Sequence, residues 1–322
     1  MSGTTGTTGT TTPGGAPAAL PVTGSGTSLR HGPYEAELAG VGASLRVLRH
    51  DGRDLVRPFE ADAVRPVFSG ALLAPWPNRI VDGRYAFEGV EHQLALSEPD
   101  RGHALHGLLG WSEWRVTAST TSSATLAADV VPSDGYPHRL LVEATFALGD
   151  EGLTTTVVAT NVGSSRAPWG VAPHPYLVAG EGRVDDWTLT LPAERYLEVT
   201  DDRLAPLGLR DVTMRDGFDL REGRVVGDTF VDHAFTALTP GAGGAVHVDV
   251  TAPGGTGVRM SFGPELPWVQ VHTADRPEVE LDRTGLAVEP MTCPPDAFNS
   301  GVDLVVLEPG DRHESAWTIS AL

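Results

Sequence analysis

The chain has 322 residues with 23 basic and 42 acidic side chains, which gives a formal net charge of −19. Nucleic acids and anionic membranes are bound by clustered cationic side chains, so this charge argues against both as partners. Every basic residue is Arg, which excludes Schiff-base, pyridoxal phosphate, P-loop and protein kinase chemistry because each needs a lysine. The single cysteine, Cys293, excludes an intramolecular disulfide and a thiolate metal cluster.

The first 27 residues are mostly Gly, Thr, Ser and Pro and carry no charged side chain. Such a segment cannot bury enough surface to offset its ordering entropy, so we expect residues 1–27 to form a disordered tail and residues 28–322 to form a single domain. The tail lacks the cationic start and apolar stretch of a signal peptide, and no apolar run of about 18 residues predicts a transmembrane helix. With one cysteine, these features favour a cytoplasmic protein.

From residue 34 onward the sequence predicts short β-strands joined by turns. Asp51-Gly52 suits a tight hairpin turn, and alternating residues between 81 and 90 predict a second hairpin. Further strands are predicted at residues 114–119, 124–131, 140–147, 153–161, 187–191, 245–251, 258–262, 268–273, 302–307 and 315–320. Their spacing, without helical segments between them, predicts an all-β fold of large antiparallel sheets arranged as a β-sandwich.

Residues 74–80 (APWPNRI) place Arg79 near Trp76 between stiffening prolines. A guanidinium donates hydrogen bonds in a planar fork while an aromatic ring stacks on C–H groups, so the segment suits a sugar-binding clamp. The alternative is that Arg79 makes an ordinary surface ion pair.

Residues 102–111 contain two histidines, His103 and His106, three positions apart. On a strand they would lie on opposite faces, so at most one is expected to point into a given site. The pair lacks the one-turn helical spacing of a zinc-binding motif, so we expect no metal. A lone structural histidine is the alternative interpretation.

His174 lies between Pro173 and Pro175. The prolines fix the backbone and should prevent ladder pairing, so the imidazole is expected on a rigid, irregular segment. Rigid presentation suits a general acid, because histidine exchanges a proton near neutral pH. It could instead be a buried histidine bonded to a carbonyl.

Two carboxylates lie in apolar surroundings. Asp232 interrupts the apolar run 230–235, where an unpaired carboxylate is rare. Glu289 follows Leu-Ala-Val at 286–288 and precedes a proline-rich loop, so it is the best candidate for a desolvated carboxylate that acts as a base. Cys293, with no adjacent histidine in sequence, is expected to be an inert buried thiol.

Together and in this order, these segments resemble the aldose 1-epimerase (galactose mutarotase) family over residues 30–322. The resemblance rests on PNRI at 77–80, LHG at 105–107, HPY at 174–176, DH at 232–233, VQVHT at 269–273, and Glu289 leading into PDAFN at 295–299. Two departures are GVAP before His174, where many members carry Asn and Thr, and Leu177 in place of Phe. They bear on the identity of the sugar more than on the reaction.

The resemblance implies a supersandwich of the galactose mutarotase type that interconverts the α and β anomers of a free aldohexose, such as glucose or galactose, without a metal or cofactor. Glu289 would be the general base at the C1 hydroxyl, and His174 the acid at the ring oxygen. Residues expected to hydrogen-bond the sugar are Arg79, His106 and Asp232, with Asn78 and Gln270 as secondary members.

Three other functions stay open at this stage, as does the choice between monomer and homodimer. An epimerase for an anionic sugar, such as a hexose 6-phosphate or sulfo-sugar, would need extra arginines near C6. Five arginines between 203 and 224 are close in sequence, but interleaved acids favour a solvated loop. A carbohydrate-binding protein would not need a paired acid and base. A glycosidase would use Glu289 and Asp232 at a separation that sequence does not give.

Overall fold

The computed structural model describes residues 19–322, so the greater part of the predicted tail, residues 1–18, lies outside the described residues. The remainder of that segment packs on the body of the protein. The backbone N–H and the hydroxyl of Thr23 both donate to Ala61 O, at 3.0 and 2.9 Å, and the first strand begins at Gly26. Defined structure therefore begins before the predicted boundary at residue 28.

Nearly all of the regular secondary structure in the described residues is β-strand. In chain order the elements are β1 (Gly26–His31), β2 (Tyr34–Ala39), β3 (Ser44–His50), β4 (Arg53–Asp54), β5 (Leu72–Leu73), β6 (Arg79–Val81), β7 (Arg84–Phe87), β8 (Val90–Gln93), β9 (His103–Leu105), β10 (Arg115–Ser119), β11 (Ser123–Val130), β12 (Leu140–Gly149), β13 (Gly152–Asn161), β14 (Ala167–Trp169), β15 (Ala172–Pro173), β16 (Tyr176–Leu177), β17 (Thr188–Thr190), β18 (Ala193–Val199), β19 (Pro206–Asp211), β20 (Arg224–Val225), β21 (Asp232–Leu238), β22 (Val246–Thr251), β23 (Gly257–Phe262), β24 (Trp268–His272), β25 (Leu286–Met291), α1 (Ala297–Ser300), β26 (Val305–Leu307) and β27 (Arg312–Ala321). Two 3-10 turns span Val184–Asp186 and Val212–Met214. Within residues 19–322 no helix has the length and apolar character needed to cross a bilayer.

Two large sheets dominate the fold. The nine-stranded sheet has the order β10-β11-β12-β13-β27-β23-β22-β17-β20, and the six-stranded sheet has the order β16-β25-β24-β21-β18-β19. Neighbouring strands in both are antiparallel, for example β12 with β13 and β24 with β25. One apolar cluster combines inward side chains of both sheets, among them Phe146, Val157, Val271 and Val288. These features confirm the predicted all-β antiparallel architecture.

Each of the ten predicted strand segments overlaps a strand, because alternation of apolar and polar residues marks sheets that are buried on one face. In β12, Leu140, Val142, Ala144 and Phe146 are buried while the residues between them are partly exposed. The Asp51-Gly52 turn is also confirmed, with φ values of 50° and 77°. The predicted hairpin between 81 and 90 forms from β7 and β8.

Gly70 connects β3, which contains Leu45, to the segment that carries His174. Its carbonyl accepts from Leu45 N at 2.9 Å, and its N–H donates to His174 O at 2.8 Å. Its φ is +70°, and a Cβ there would lie 2.1 Å from Leu45 O. Only glycine satisfies both the left-handed conformation and this close backbone approach.

We expect Gly70→Ala to lower the free energy of unfolding much more than Gly52→Ala. Gly52 has φ +77° and no described atom within 4 Å of a Cβ, so alanine there costs only the left-handed strain, about 1–2 kcal/mol. Gly70→Ala adds an overpacking cost of roughly 1–3 kcal/mol. Urea unfolding of the two variants would measure the difference, and equal midpoints would contradict the close approach at Gly70.

Candidate active site

The six-stranded sheet places polar side chains on one face while its other face packs into the core. On β24, Val269 and Val271 join the main apolar cluster, whereas Gln270 and His272 line a cavity. Register pairs Gln270 with Glu289 of β25 and His272 with Asp232 of β21. Strand alternation therefore collects carboxylate, amide and imidazole groups on one surface.

All seven predicted site residues line this one cavity, which has a volume of about 250 Å³. They are Asn78, Arg79, His106, His174, Asp232, Gln270 and Glu289. Pockets for drug-sized ligands span roughly 300–1,000 Å³, so the volume suits a single sugar ring better than a longer glycan. Lining residues that sequence analysis did not select are Val67, Phe68, Glu98, Arg101, Leu105, Phe230, His272, Asp275 and Arg276.

Glu289 and His174 form the deepest polar contact of the cavity. Oε1 of Glu289 lies 3.4 Å from Nε2 of His174, and the two residues are 1% and 5% exposed. The second carboxylate oxygen of Glu289 and Nδ1 of His174 are buried without a hydrogen-bond partner in the protein. Buried polar atoms are normally paired, so these two indicate that a polar ligand completes the site.

Burial controls the protonation of this pair. It raises the pKa of Glu289 well above its usual range, with the charge of Asp232 adding to the effect and Arg79 opposing it. It also lowers the pKa of His174 to about 3, an effect to which the neighbouring His272 and Arg276 contribute. Burial therefore favours the uncharged form of each group, a carboxyl group beside a neutral imidazole, and in that state the pair holds one exchangeable proton.

The segment that carries His174 is more regular than expected. His174 N donates to Ala71 O at 2.9 Å, and His174 O accepts from Gly70 N at 2.8 Å. The preceding β15 pairs with β5. The prediction that the flanking prolines prevent ladder pairing holds at His174 and Pro175, which lie outside any strand. It is wrong at Pro173, which pairs with Leu72 of β5, because proline removes only its own N–H. The two bonds hold the His174 backbone against residues 70 and 71.

Arg79 is held in the cavity by acids rather than exposed in a surface ion pair. Its Nε and Nη2 donate to the two oxygens of Glu98 at 2.7 and 3.0 Å, and Nη2 lies 3.9 Å from Asp232. Although burial acts against the charge, Asp232 and Glu98 together raise the pKa of Arg79. The backbone N–H of Arg79 donates to Asn78 Oδ1 at 2.9 Å. The paired bonds to Glu98 fix the guanidinium in one orientation.

The expected stacking role of Trp76 is wrong. Trp76 is buried in the core, where its ring lies 5.8 Å from Phe298 and its N–H donates to Ala104 O. Phe68 and Phe230 line the cavity instead. Alternation along residues 74–80 does not reveal this, because these residues form a loop and the short strand β6.

The two histidines at 103 and 106 separate as predicted. His106 lines the cavity, and its ring lies edge-on to His174 with centroids 5.1 Å apart. Nδ1 of His106 is buried without a protein partner, and burial lowers its pKa well below the usual range. His103 is fully buried elsewhere, where Nε2 lies 2.8 Å from Arg203 O. His106 is therefore the member of the pair that can reach a ligand.

Gln270 and His272 connect Asp232 to the rest of the polar network. Gln270 Nε2 donates to Asp232 Oδ1 at 2.7 Å, and Gln270 Oε1 is buried without a hydrogen-bond partner in the protein. His272 lies 4.0 Å from the other oxygen of Asp232, and its Nε2 accepts from Arg276 at 3.2 Å. Neutral His272 therefore carries its proton on Nδ1, toward Asp232. Because side chains two positions apart on a strand share a face, Gln270 predicts that His272 also lines the cavity. No feature of the sequence singles out Glu98.

Other sequence expectations also have outcomes. Cys293 is buried, and burial raises the pKa of its thiol to about 12, which confirms the prediction of an inert cysteine.

Four of the five arginines between 203 and 224 pair with carboxylates, and the fifth, Arg215, contacts His233 at 3.0 Å. None of the five lines the cavity. No three His, Cys, Asp or Glu side chains in the described part of the chain form a cluster suited to a metal ion.

Comparison with known proteins identifies the group to which this sequence is similar. A family model described as aldose 1-epimerase matches residues 27–320. An uncharacterized Escherichia coli protein, YihR, is 36% identical over 297 residues, covering 92% of this chain and 93% of YihR. Galactose mutarotase from Rattus norvegicus is 32% identical over 164 residues, covering 49% of this chain and 46% of that protein.

Solved structures share the fold. A putative aldose 1-epimerase from Escherichia coli superposes with a TM-score of 0.79 at 23% identity, covering 92% of this chain and 99% of the other. An aldose epimerase homologue from C. elegans gives a TM-score of 0.80 at 21% identity, covering 92% of this chain and all of the other. At these identities the likeness is one of fold.

We expect Glu289→Gln to stabilise the folded protein at neutral and alkaline pH. Because the folded-state pKa of Glu289 is raised, wild-type stability falls as pH rises from about 4.5 toward that pKa. Glutamine removes the ionisation. The melting temperature of the variant should exceed that of wild type at pH 8, by roughly 2–4 °C for each kcal/mol released. The difference should disappear below about pH 4.5, and a constant difference at all pH values would contradict the raised pKa.

Proposed function

The chain belongs to the aldose 1-epimerase family, and from this premise we propose that it interconverts the α and β anomers of a free aldohexopyranose, with glucose and galactose as the first candidates. The observation that carries the proposal is the buried contact of 3.4 Å between Glu289 and His174. Ring opening requires one group to remove the proton of the C1 hydroxyl and another to protonate the ring oxygen O5. A carboxylate and an imidazole facing one small cavity supply both.

The proposed reaction proceeds through the open-chain sugar. The Glu289 carboxylate takes the proton of the C1 hydroxyl, the C1–O5 bond breaks with its electron pair going to O5, and protonated His174 donates to O5. Rotation about C1–C2 turns the other face of the aldehyde toward O5. His174 then takes the O5 proton as O5 attacks C1, and Glu289 returns its proton to O1. Both groups regain their starting states, so neither needs a co-reactant.

The single proton of the resting pair fits this cycle. In the empty cavity it favours Glu289, because burial disfavours both charged forms. Moving it across 3.4 Å to His174 gives the carboxylate and imidazolium that ring opening needs, without exchange with solvent. A bound sugar would promote this transfer, because its hydroxyl groups can donate hydrogen bonds to the carboxylate.

The remaining predicted residues have groups suited to holding a sugar ring. Arg79 offers donors fixed by Glu98, and His106 and Gln270 each present a buried atom without a protein partner. Asp232 accepts from Gln270 and can also accept from a sugar hydroxyl. A network of donors and acceptors that is already oriented lowers the entropic cost of fixing the sugar.

We expect Glu289→Gln and His174→Asn each to lower kcat for anomerisation by about 10²–10⁴-fold, the usual contribution of a positioned acid or base. Polarimetry of freshly dissolved α-D-glucose and α-D-galactose, corrected for spontaneous mutarotation, would measure the loss. Matched controls are Glu143→Gln, on the partly exposed face of β12, and His31→Asn, which pairs with Asp150 on the surface.

Both controls should keep wild-type rates. If either active-site variant kept near-wild-type anomerisation with an intact fold, the acid and base roles would be wrong. A folded wild-type protein that binds a sugar but does not accelerate anomerisation would instead support a carbohydrate-binding function.

The pH profile of kcat/KM should show no change near pH 6.5, where an ordinary histidine titrates. kcat/KM reports the free enzyme, in which burial lowers the pKa of His174 to about 3. His174 therefore gains no further proton near pH 6.5, and activity should not fall as the pH is lowered through 6.5 toward about 5. Activity should fall at higher pH, as Glu289 loses the shared proton. A tenfold loss on acidification with a midpoint near pH 6.5 would contradict this protonation scheme.

A further inference from the structure

Two residues of the loop between β4 and β5 line the cavity in a strained backbone conformation. Val67 and Phe68 have φ values of +40° and +58°, in the left-handed region that β-branched and aromatic residues seldom adopt. Ser69 N donates to Pro66 O at 2.8 Å, which closes the turn around them. Such a conformation persists only where the surrounding structure holds it, and it is concentrated at functional sites.

Side chains from other segments hold this turn in place. The hydroxyl of Tyr176 donates to Val67 O at 3.3 Å, and the guanidinium of Arg57 donates to Ser69 Oγ at 3.1 Å. Tyr176 follows His174 by two residues. The turn and the segment that carries the proposed acid are therefore fixed to each other.

The ring of Phe68 is held by a cation and by a second ring. The Arg65 guanidinium lies 4.4 Å from the ring centre of Trp111 and 5.7 Å from that of Phe68. Arg65 is buried and also donates to Ser44 Oγ and Gly110 O, so it is anchored to other parts of the chain. The rings of Phe68 and Trp111 meet edge-on, with centroids 5.3 Å apart. These contacts leave the Phe68 side chain little freedom to turn.

The held ring faces both imidazoles of the cavity. Phe68 lies edge-on to His106 with centroids 4.8 Å apart, and it lies nearly parallel to His174 at 6.5 Å, with the ring planes 25° apart. Phe68 is partly exposed, whereas His106 and His174 are 8% and 5% exposed. An apolar ring in this position shields the imidazoles from water.

We propose that Phe68 is a positioning residue for the acid of the reaction. Its ring keeps water away from the His174 imidazole and holds that imidazole toward Glu289 and the ring oxygen of the sugar, and the left-handed turn places the ring there. Phe68 acts through His174 and needs no bond to the substrate. This inference rests on the proposed function.

Shielding from water also decides when His174 carries a proton. The titratable and charged groups that face its imidazole are Glu289, His106, Tyr176, His272, Arg276 and Arg65. Burial is nevertheless the largest cause of the low pKa of His174. Removing the Phe68 ring admits water, which stabilises the imidazolium and raises this pKa toward its ordinary value. The pair then takes up a second proton in mild acid, and Glu289 is no longer available as the base.

Variants of Phe68 test the role. Phe68→Ala should lower kcat for anomerisation by about 10–10²-fold, because a small misplacement of a catalytic group is costly, while KM should change less. Its kcat/KM should also fall on acidification with a midpoint between about pH 4.5 and 6.5. Phe68→Tyr keeps the ring and should restore most of kcat and the wild-type pH profile. Exchange NMR of glucose and galactose at anomeric equilibrium would measure the rates.

The matched control is Phe87→Ala. Phe87 is also partly buried and lies edge-on to a histidine, His138, with centroids 5.4 Å apart, but neither residue lines the cavity. This variant should keep the wild-type kcat and pH profile, and circular dichroism would check that every variant is folded. Wild-type rates and pH profile in folded Phe68→Ala, or an equal loss in Phe68→Tyr, would overturn the inference.

A measurement that needs no turnover separates this inference from the proposed function. NMR titration of the imidazole signals, with His174 assigned by comparison with His174→Asn, would give the proton affinity of His174 in each variant. We expect Phe68→Ala to raise it by about tenfold or more and Phe68→Tyr to leave it near that of wild type. If wild type turned over no sugar, the proposed function would be wrong. A raised affinity in Phe68→Ala would then still support the shielding role, and an unchanged one would overturn it.

Discussion

The burial of Glu289 beside His174 is the constraint on which the rest of the site depends. A carboxyl group that is 1% exposed would normally be excluded from a protein interior unless it were paired or protonated. Here its neighbour is an imidazole at 3.4 Å whose own charge is disfavoured by the same burial. Sharing one proton leaves both groups uncharged, which reduces the desolvation cost of burying them. Oε2 of Glu289 and Nδ1 of His174 have no hydrogen-bond partner in the protein.

The fold supports this arrangement through the two faces of the six-stranded sheet. Val269, Val271 and Val288 fix β24 and β25 in the core, so the alternate positions on these strands are held rigidly against the cavity. Gln270 is paired with Glu289 in the antiparallel register. His174 comes from a separate segment that is bonded to residues 70 and 71. The proton-transfer distance is therefore set by backbone hydrogen bonds of two independent elements rather than by flexible side chains.

The sequence predicts strands where apolar and polar residues alternate clearly. It does not predict side-chain positions that depend on packing between distant parts of the chain. The strands β12 and β13 are evident because one face of each is apolar. All seven selected residues reach the cavity. Polar groups in apolar, proline-rich segments are rare unless they have a use, and this pattern selects residues such as His174 and Glu289, whereas Asn78 and Gln270 are selected through the family resemblance alone. Trp76 was assigned wrongly, since its ring direction depends on packing with Phe298. Glu98 and Arg276 carry no local signal, because their meaning arises only from partners distant in sequence.

The distribution of charge around the cavity explains how one site can bind strongly and still move protons. Arg79 is paired with Glu98 and lies near Asp232, and its charge favours the ionised form of Glu289. The imidazolium of His174 is disfavoured mainly by burial, with His272 and Arg276 adding to the effect. In the proposed reaction, delivery of a proton to O5 would therefore depend on how a bound sugar changes the electrostatic field at His174. Selectivity would arise from the chemical step as well as from binding.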